Sequence, residues 1–97
     1  MYAIAIVRYR RPLEEVLKVV EAHRAYLGAL KDKGILVASG PLDPRNGGAL
    51  FLRVSDENVL QNLDRIRDED PFTKAGVAQY ELLPWLPNIG VEGLDRL

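Results

Sequence analysis

One histidine, His23, is the only side chain of this sequence that exchanges a proton near neutral pH in its unperturbed state. It sits where a hydrophobe is expected. Leu13, Val16, Val20, Leu27 and Leu30 recur at steps of three and four residues, the spacing of one buried helical face, and His23 falls on that stripe. An imidazole there costs free energy unless it is hydrogen-bonded or opens onto a pocket. Two readings are open: a helix histidine that bonds a backbone carbonyl or water at the core edge, or a general acid–base placed beside a cavity. Asp70 is the second candidate. Standing directly before Pro71, with Gly76 beyond, it fits the N-cap of a single helical turn. A carboxylate also fixes the tautomer and orientation of a catalytic imidazole, and one oxygen can cap while the other faces a ring. Gly40-Pro41 either ends a strand or lets a ligand approach the backbone there. Phe72, Tyr26 and Trp85 read first as core or interface aromatics. The run Asp68-Glu69-Asp70 reads as a solvated helix end rather than a cation site.

Composition narrows the chemistry. With no cysteine, disulfides, thiolate catalysis and cysteine metal sites are excluded. With one histidine, a tetrahedral zinc site would need at least two carboxylates, an uncommon set, and no residue pattern in the sequence calls for a metal or an organic cofactor. Apolar residues at 47% and charged residues at 28% exclude wholesale disorder. A net charge of -1 offers no field for nucleic acid or an anionic membrane, and Arg8, Arg10 and Arg11 read as a solvated strand end. The apolar run from Tyr2 to Val7 is too short for a signal-peptide core or a membrane span, so a cytoplasmic location is expected.

The elements that must position these residues can be read in order. Met1 to Tyr9 is apolar and β-branched, a strand. Pro12 opens a helix with Glu14-Glu15 at its positive end, the stripe carries it to about Asp32, and Gly34 stops it. Ile35 to Ser39 is a second strand, broken by Gly40-Pro41. Asp43 to Gly48 is turn chemistry, and Ala49 to Val54 a third strand. Ser55 or Asp56 can cap a second helix whose apolar side is Val59 or Leu60, Leu63 and Ile66. A short turn from Pro71 to Ala75 leads into a last strand, Val77 to Leu83. The order β-α-β-β-α-β is the ferredoxin-like arrangement of the α+β class. Strands one to three are apolar on both sides, which two helices cannot cover alone. A second subunit is the expected cover.

Several of these features together resemble the YciI-like (YCII-related) family. The matching residues are His23 with Leu27 and Leu30, then Gly34-Ile35-Leu36 leading into Gly40-Pro41. Further on come Asp68-Glu69-Asp70-Pro71-Phe72, Ala75-Gly76-Val77 and Pro84-Trp85. The resemblance covers residues 1–86 as one domain and leaves 87–97 as a C-terminal tail. It implies ferredoxin-like subunits paired into a dimeric α/β barrel, as a homodimer or a higher assembly built on it. It also implies a His–Asp pair in a pocket, here His23 and Asp70. Gly40, Pro41 and Phe72 are the expected substrate contacts beside it. A relative acts as a dehydrochlorinase on a chlorinated hydroxyquinol, so the expected activity is proton abstraction, elimination or isomerisation on a cyclic or aromatic molecule, without a cofactor. A binding module without turnover and a purely structural dimer are the alternatives.

Overall fold

The computed structural model describes residues 1–97. Four strands, β1 (Tyr2–Tyr9), β2 (Leu36–Pro41), β3 (Gly47–Arg53) and β4 (Ala78–Trp85), form one antiparallel sheet in the order β2-β3-β1-β4. With the helices that precede β4 on one face, this is the expected α+β ferredoxin-like architecture. The helices are α1 (Leu13–Leu17), α2 (Val20–Asp32), α3 (Val59–Glu69), the single turn α4 (Pro71–Lys74) and α5 (Val91–Asp95) in the tail. Odd-numbered β1 residues Ala3, Ala5 and Val7 face the helices and are buried with Leu50 and Leu52 of β3, Val16, Leu27, Leu30, Leu63 and Ile66. Even-numbered Tyr2, Ile4 and Ile6 take the opposite face with Phe51, Leu83 and Trp85. Away from the Tyr2–Arg53 end, where the tail attaches, that second face is uncovered: Leu83 and Trp85 are exposed, and Tyr2, Phe51 and Trp85 form a line of ring contacts across it.

Several boundaries differ from those read in the sequence. The first helix is not continuous to Asp32. It breaks at Lys18–Val19, where Val19 has φ -111° and its N–H reaches back only three residues, to the Val16 carbonyl. The adjacent β-branched pair Val19-Val20 disfavours a regular turn there. Gly40-Pro41 does not break the second strand. Both residues lie inside β2, paired with Ala49 and Gly48 of β3. Pro41 is tolerated because β2 is an edge strand and needs no ladder donor on its outer side. Neither Ser55 nor Asp56 caps α3. Ser55 Oγ accepts the Glu57 N–H, Asp56 pairs with the N-terminal ammonium, and Asn58 takes the N-cap position in a left-handed conformation. Leu60 points to solvent, leaving Leu63 and Ile66 as the buried stripe of α3. The last strand continues through Pro84-Trp85, on the other edge of the sheet.

A bulge in β2 decides which of its side chains face α2. Leu36 pairs with Leu52, but the next paired residue is Ala38, opposite Phe51. The extra residue, Val37, reverses the alternation, so Ser39 and Pro41 rather than Ala38 and Gly40 share the helix-side face with Leu50. The strand end therefore turns a hydroxyl and a proline ring toward α2.

Candidate active site

Asp70 is the one fully buried charged residue of the chain, and its carboxylate gathers three elements. Its Oδ1 accepts the Phe72 backbone N–H at 2.9 Å, which caps α4 as the Asp-Pro sequence predicts. Its Oδ2 accepts the phenolic hydroxyl of Tyr80, from the middle of β4. His23, from α2, places Nδ1 2.8 Å from Oδ1 and 3.0 Å from Oδ2. Residues 47 positions apart in sequence are thus in direct contact. Asp70 thus caps α4 and faces His23 with the same carboxylate.

The contact bears on where the imidazole carries its proton if Asp70 is ionised. An ionised carboxylate only accepts, so Nδ1 must be the donor in the His23–Asp70 bond. In the neutral ring Nε2 then carries the lone pair, and no protein group bonds it. The plane of the ring is set separately. Phe72 stacks on it with centroids 3.8 Å apart and planes within 4° of parallel, and Tyr9 closes edge-on against Phe72. The side chain of His23 remains 12% exposed while that of Asp70 is fully covered. One edge of the imidazole is anchored in the core and another is accessible.

His23 also lines a cavity of about 250 Å³ between α2 and the β2–β3 end of the sheet. His23, Phe72, Gly40 and Pro41 all line it, with Ser39, Tyr9 and Leu27. A dry cavity of about 150 Å³ takes benzene, so a substituted six-membered ring fits here. Glycine is required at the neighbouring hairpin. A Cβ on Gly47 would lie 2.0 Å from the Val7 carbonyl oxygen, and one on Gly48 would lie 3.0 Å from that of Gly40.

Three site residues escape the sequence reading. Tyr80 is one; the signal was available, since a tyrosine alternating with Ala78 and Leu82 on a helix-facing strand side needs a partner for its hydroxyl. Burial, and then the nearby Asp70 charge, push the Tyr80 phenol far above its ordinary pKa, so it stays a donor at any working pH. Arg24 and Arg45 are the others: both line the cavity, one beside His23 on α2 and one on the β2–β3 loop. Trp85 and Tyr26 do not enter this cavity. Trp85 belongs to the uncovered sheet face, and Tyr26 donates to the Ile66 carbonyl at 2.8 Å. Asp68 turns away to Arg67, at 2.8 Å, so the acidic run does not converge.

No protein of curated description matches the sequence. Among solved structures, the fold is similar to 5-chloro-2-hydroxyhydroquinone dehydrochlorinase from Burkholderia phenoliruptrix, in complex with 2,5-dihydroxybenzoquinone. The TM-score is 0.73 at 25% identity, over 91% of this chain and 96% of that one. The model of the YCII-related domain matches residues 1–86. By that match, across nearly its whole length, the chain belongs to the YCII-related domain family.

Proposed function

We propose that this protein is an enzyme of acid–base chemistry on a small ring-shaped organic molecule, with His23 Nε2 as the base. The observation that carries this reading is the His23–Asp70 pair at the wall of a ring-sized cavity, with Nδ1 tied inward and Nε2 free. In the reaction, Nε2 takes a proton from the bound molecule and the imidazolium formed is stabilised by the Asp70 carboxylate. The Phe72 N–H and the Tyr80 hydroxyl donate to that carboxylate and hold its negative charge in place. Phe72 fixes the ring plane, while Gly40 and Pro41 form the opposite wall against which a substrate lies. When the substrate carries chloride on a carbon activated by ring oxygens, loss of the proton lets the C–Cl bonding pair leave with chloride, a net loss of HCl. The similar dehydrochlorinase makes that the first reaction to assay.

The assay is chloride release from 5-chloro-2-hydroxyhydroquinone, followed with an ion-selective electrode. The expected result is turnover that falls on the order of a hundredfold in His23→Gln. Turnover equal in the variant and the parent would remove His23 as the base. A structural reading also has an observation in its favour, since Asp70 ties α2, α4 and β4 together. It predicts that His23→Gln destabilises the fold, by about 1–3 kcal/mol for a polar partner left unsatisfied, and that no ligand reaches the ring.

The same reading includes a homodimer. The uncovered sheet face carries Ile4, Phe51, Leu83 and Trp85, and a second copy of this face is the cover of matching chemistry. Residues 1–86 form the catalytic unit and 87–97 an appended tail. That tail is held by Tyr2, whose hydroxyl donates to Asp95 at 2.7 Å, and by Arg53, which donates to the Leu94 carbonyl at 2.9 Å.

A further inference from the structure

Two arginines at the cavity are unspent. Arg8, Arg10, Arg53 and Arg67 each donate to a protein acceptor: Glu81, Gln79, the Leu94 carbonyl and Asp68 respectively. Arg24 and Arg45 make no ion pair and no side-chain hydrogen bond, and both line the cavity that His23 borders. No aspartate or glutamate lines that cavity. The one carboxylate near it, Asp70, is sealed behind the imidazole and saturated by three donors. The cavity lining therefore carries two positive charges on exposed side chains, with donors in a planar fork, and no carboxylate.

We propose that Arg24 and Arg45 form an oxyanion-recognition pair, so that the substrate is a ring carrying an ionised oxygen substituent, a carboxylate or a phenolate. This rests on the reading of the cavity as the place where His23 meets its substrate. The placement explains what an anion would add. Arg24 follows His23 directly on α2, while Arg45 comes from the loop between Pro41 and Gly47, across the cavity mouth. A ring anchored by its oxyanion at the mouth lies inward between Phe72 and Pro41, with its far edge toward Nε2. The same guanidinium groups offset the negative charge that develops on the ring as Nε2 removes a proton. The hairpin that carries Arg45 is held close to the sheet. Leu42 N–H donates to the Gly47 carbonyl at 2.9 Å, and Tyr9 N–H to the Asn46 carbonyl at 3.0 Å.

The sole histidine makes the test direct, because all imidazole NMR signals belong to His23. The probes are benzoate against benzamide, nearly equal in shape and differing in charge, and 4-nitrophenolate against nitrobenzene. The expected result is saturable shifts of the His23 ring signals with at least one anion binding about tenfold tighter than its neutral counterpart, the usual strength of a charge-assisted contact. Which anion shows the preference tells carboxylate from phenolate. The preference should shrink with added salt, drop in Arg24→Gln and in Arg45→Gln, and vanish in the double variant while neutral binding is kept. Equal affinity for charged and neutral probes, or a preference that survives in the double variant, overturns the arginine assignment and leaves the cavity reading standing. If no probe moves the His23 signals, the cavity reading and the arginine assignment fall together.

Discussion

At the scale of single residues, the site turns on one carboxylate that serves a cap, a phenol and an imidazole. Asp70→Asn separates these roles. Its carbonyl oxygen still accepts the Phe72 N–H, and asparagine caps about as well as aspartate. The amide cannot accept from both Tyr80 and His23, so thermal unfolding should show a modest loss while activity falls steeply. Asp70→Ala loses the cap as well and strands the Tyr80 hydroxyl; denaturant unfolding should show about 2–4 kcal/mol of destabilisation. Equal stability of the two variants would mean that the cap contributes little. Tyr80→Phe removes one charge-assisted bond to the carboxylate and should cost about 1.5–3 kcal/mol. His23 and Asp70 were legible in the sequence because each broke a local pattern: a polar residue on an apolar stripe, and an acid placed before Pro71. Tyr80, Arg24 and Arg45 broke none, since a strand tyrosine and surface arginines are ordinary until the fold brings them to one place.

At the scale of elements, strand pairing decides which side chains reach the cavity. The β-α-β-β-α-β order was legible from periodicity and turn residues, because burying one face of each element needs those patterns. The bulge at Val37 was not, since an extra unpaired residue leaves composition unchanged. Nor was the continuation of β2 through Gly40-Pro41, which depends on its edge position rather than on the two residues themselves. Gly47→Ala tests how tightly the hairpin holds. A methyl 2.0 Å from the Val7 carbonyl oxygen forces β1 and β3 apart, at about 1–3 kcal/mol by analogy with overpacking elsewhere. Hydrogen exchange should show the loss of protection concentrated at the Arg8–Gly47 end of that ladder. Unchanged protection there would mean that the hairpin yields without strain.

At the scale of the whole molecule, the uncovered face and the buried phenols set two further outcomes. Light scattering at micromolar concentration should give the mass of a dimer, and Phe51→Glu should give a folded monomer by placing a charge on the apolar face. A monodisperse folded monomer for the unaltered chain would contradict the dimer. The two-sided apolar strands made that expectation readable from sequence, whereas the attachment of the tail through Tyr2 and Arg53 needed the structure. Stability should also fall in alkali. Burial raises Tyr26 to about 12, with Glu69 and Asp70 adding to it, and raises Tyr80 further. The folded state therefore keeps these protons after the unfolded chain has begun to release them near pH 10. Their contribution is complete below pH 10 and is lost progressively as pH climbs above it. In Tyr80→Phe the alkaline decline should be shallower.

The tautomer of His23 bears most directly on the proposed chemistry, because the base exists only if Asp70 holds the proton on Nδ1. Free histidine favours the opposite tautomer, so the protein must impose this one. Long-range ¹H–¹⁵N NMR correlation of the neutral ring reads both nitrogens of the sole imidazole. The expected spectrum shows a protonated Nδ1 and an unprotonated Nε2 in the unaltered protein, reversed in Asp70→Ala, where no acceptor holds the proton on Nδ1. A ring protonated on Nε2 with Asp70 intact would contradict His23 as the base.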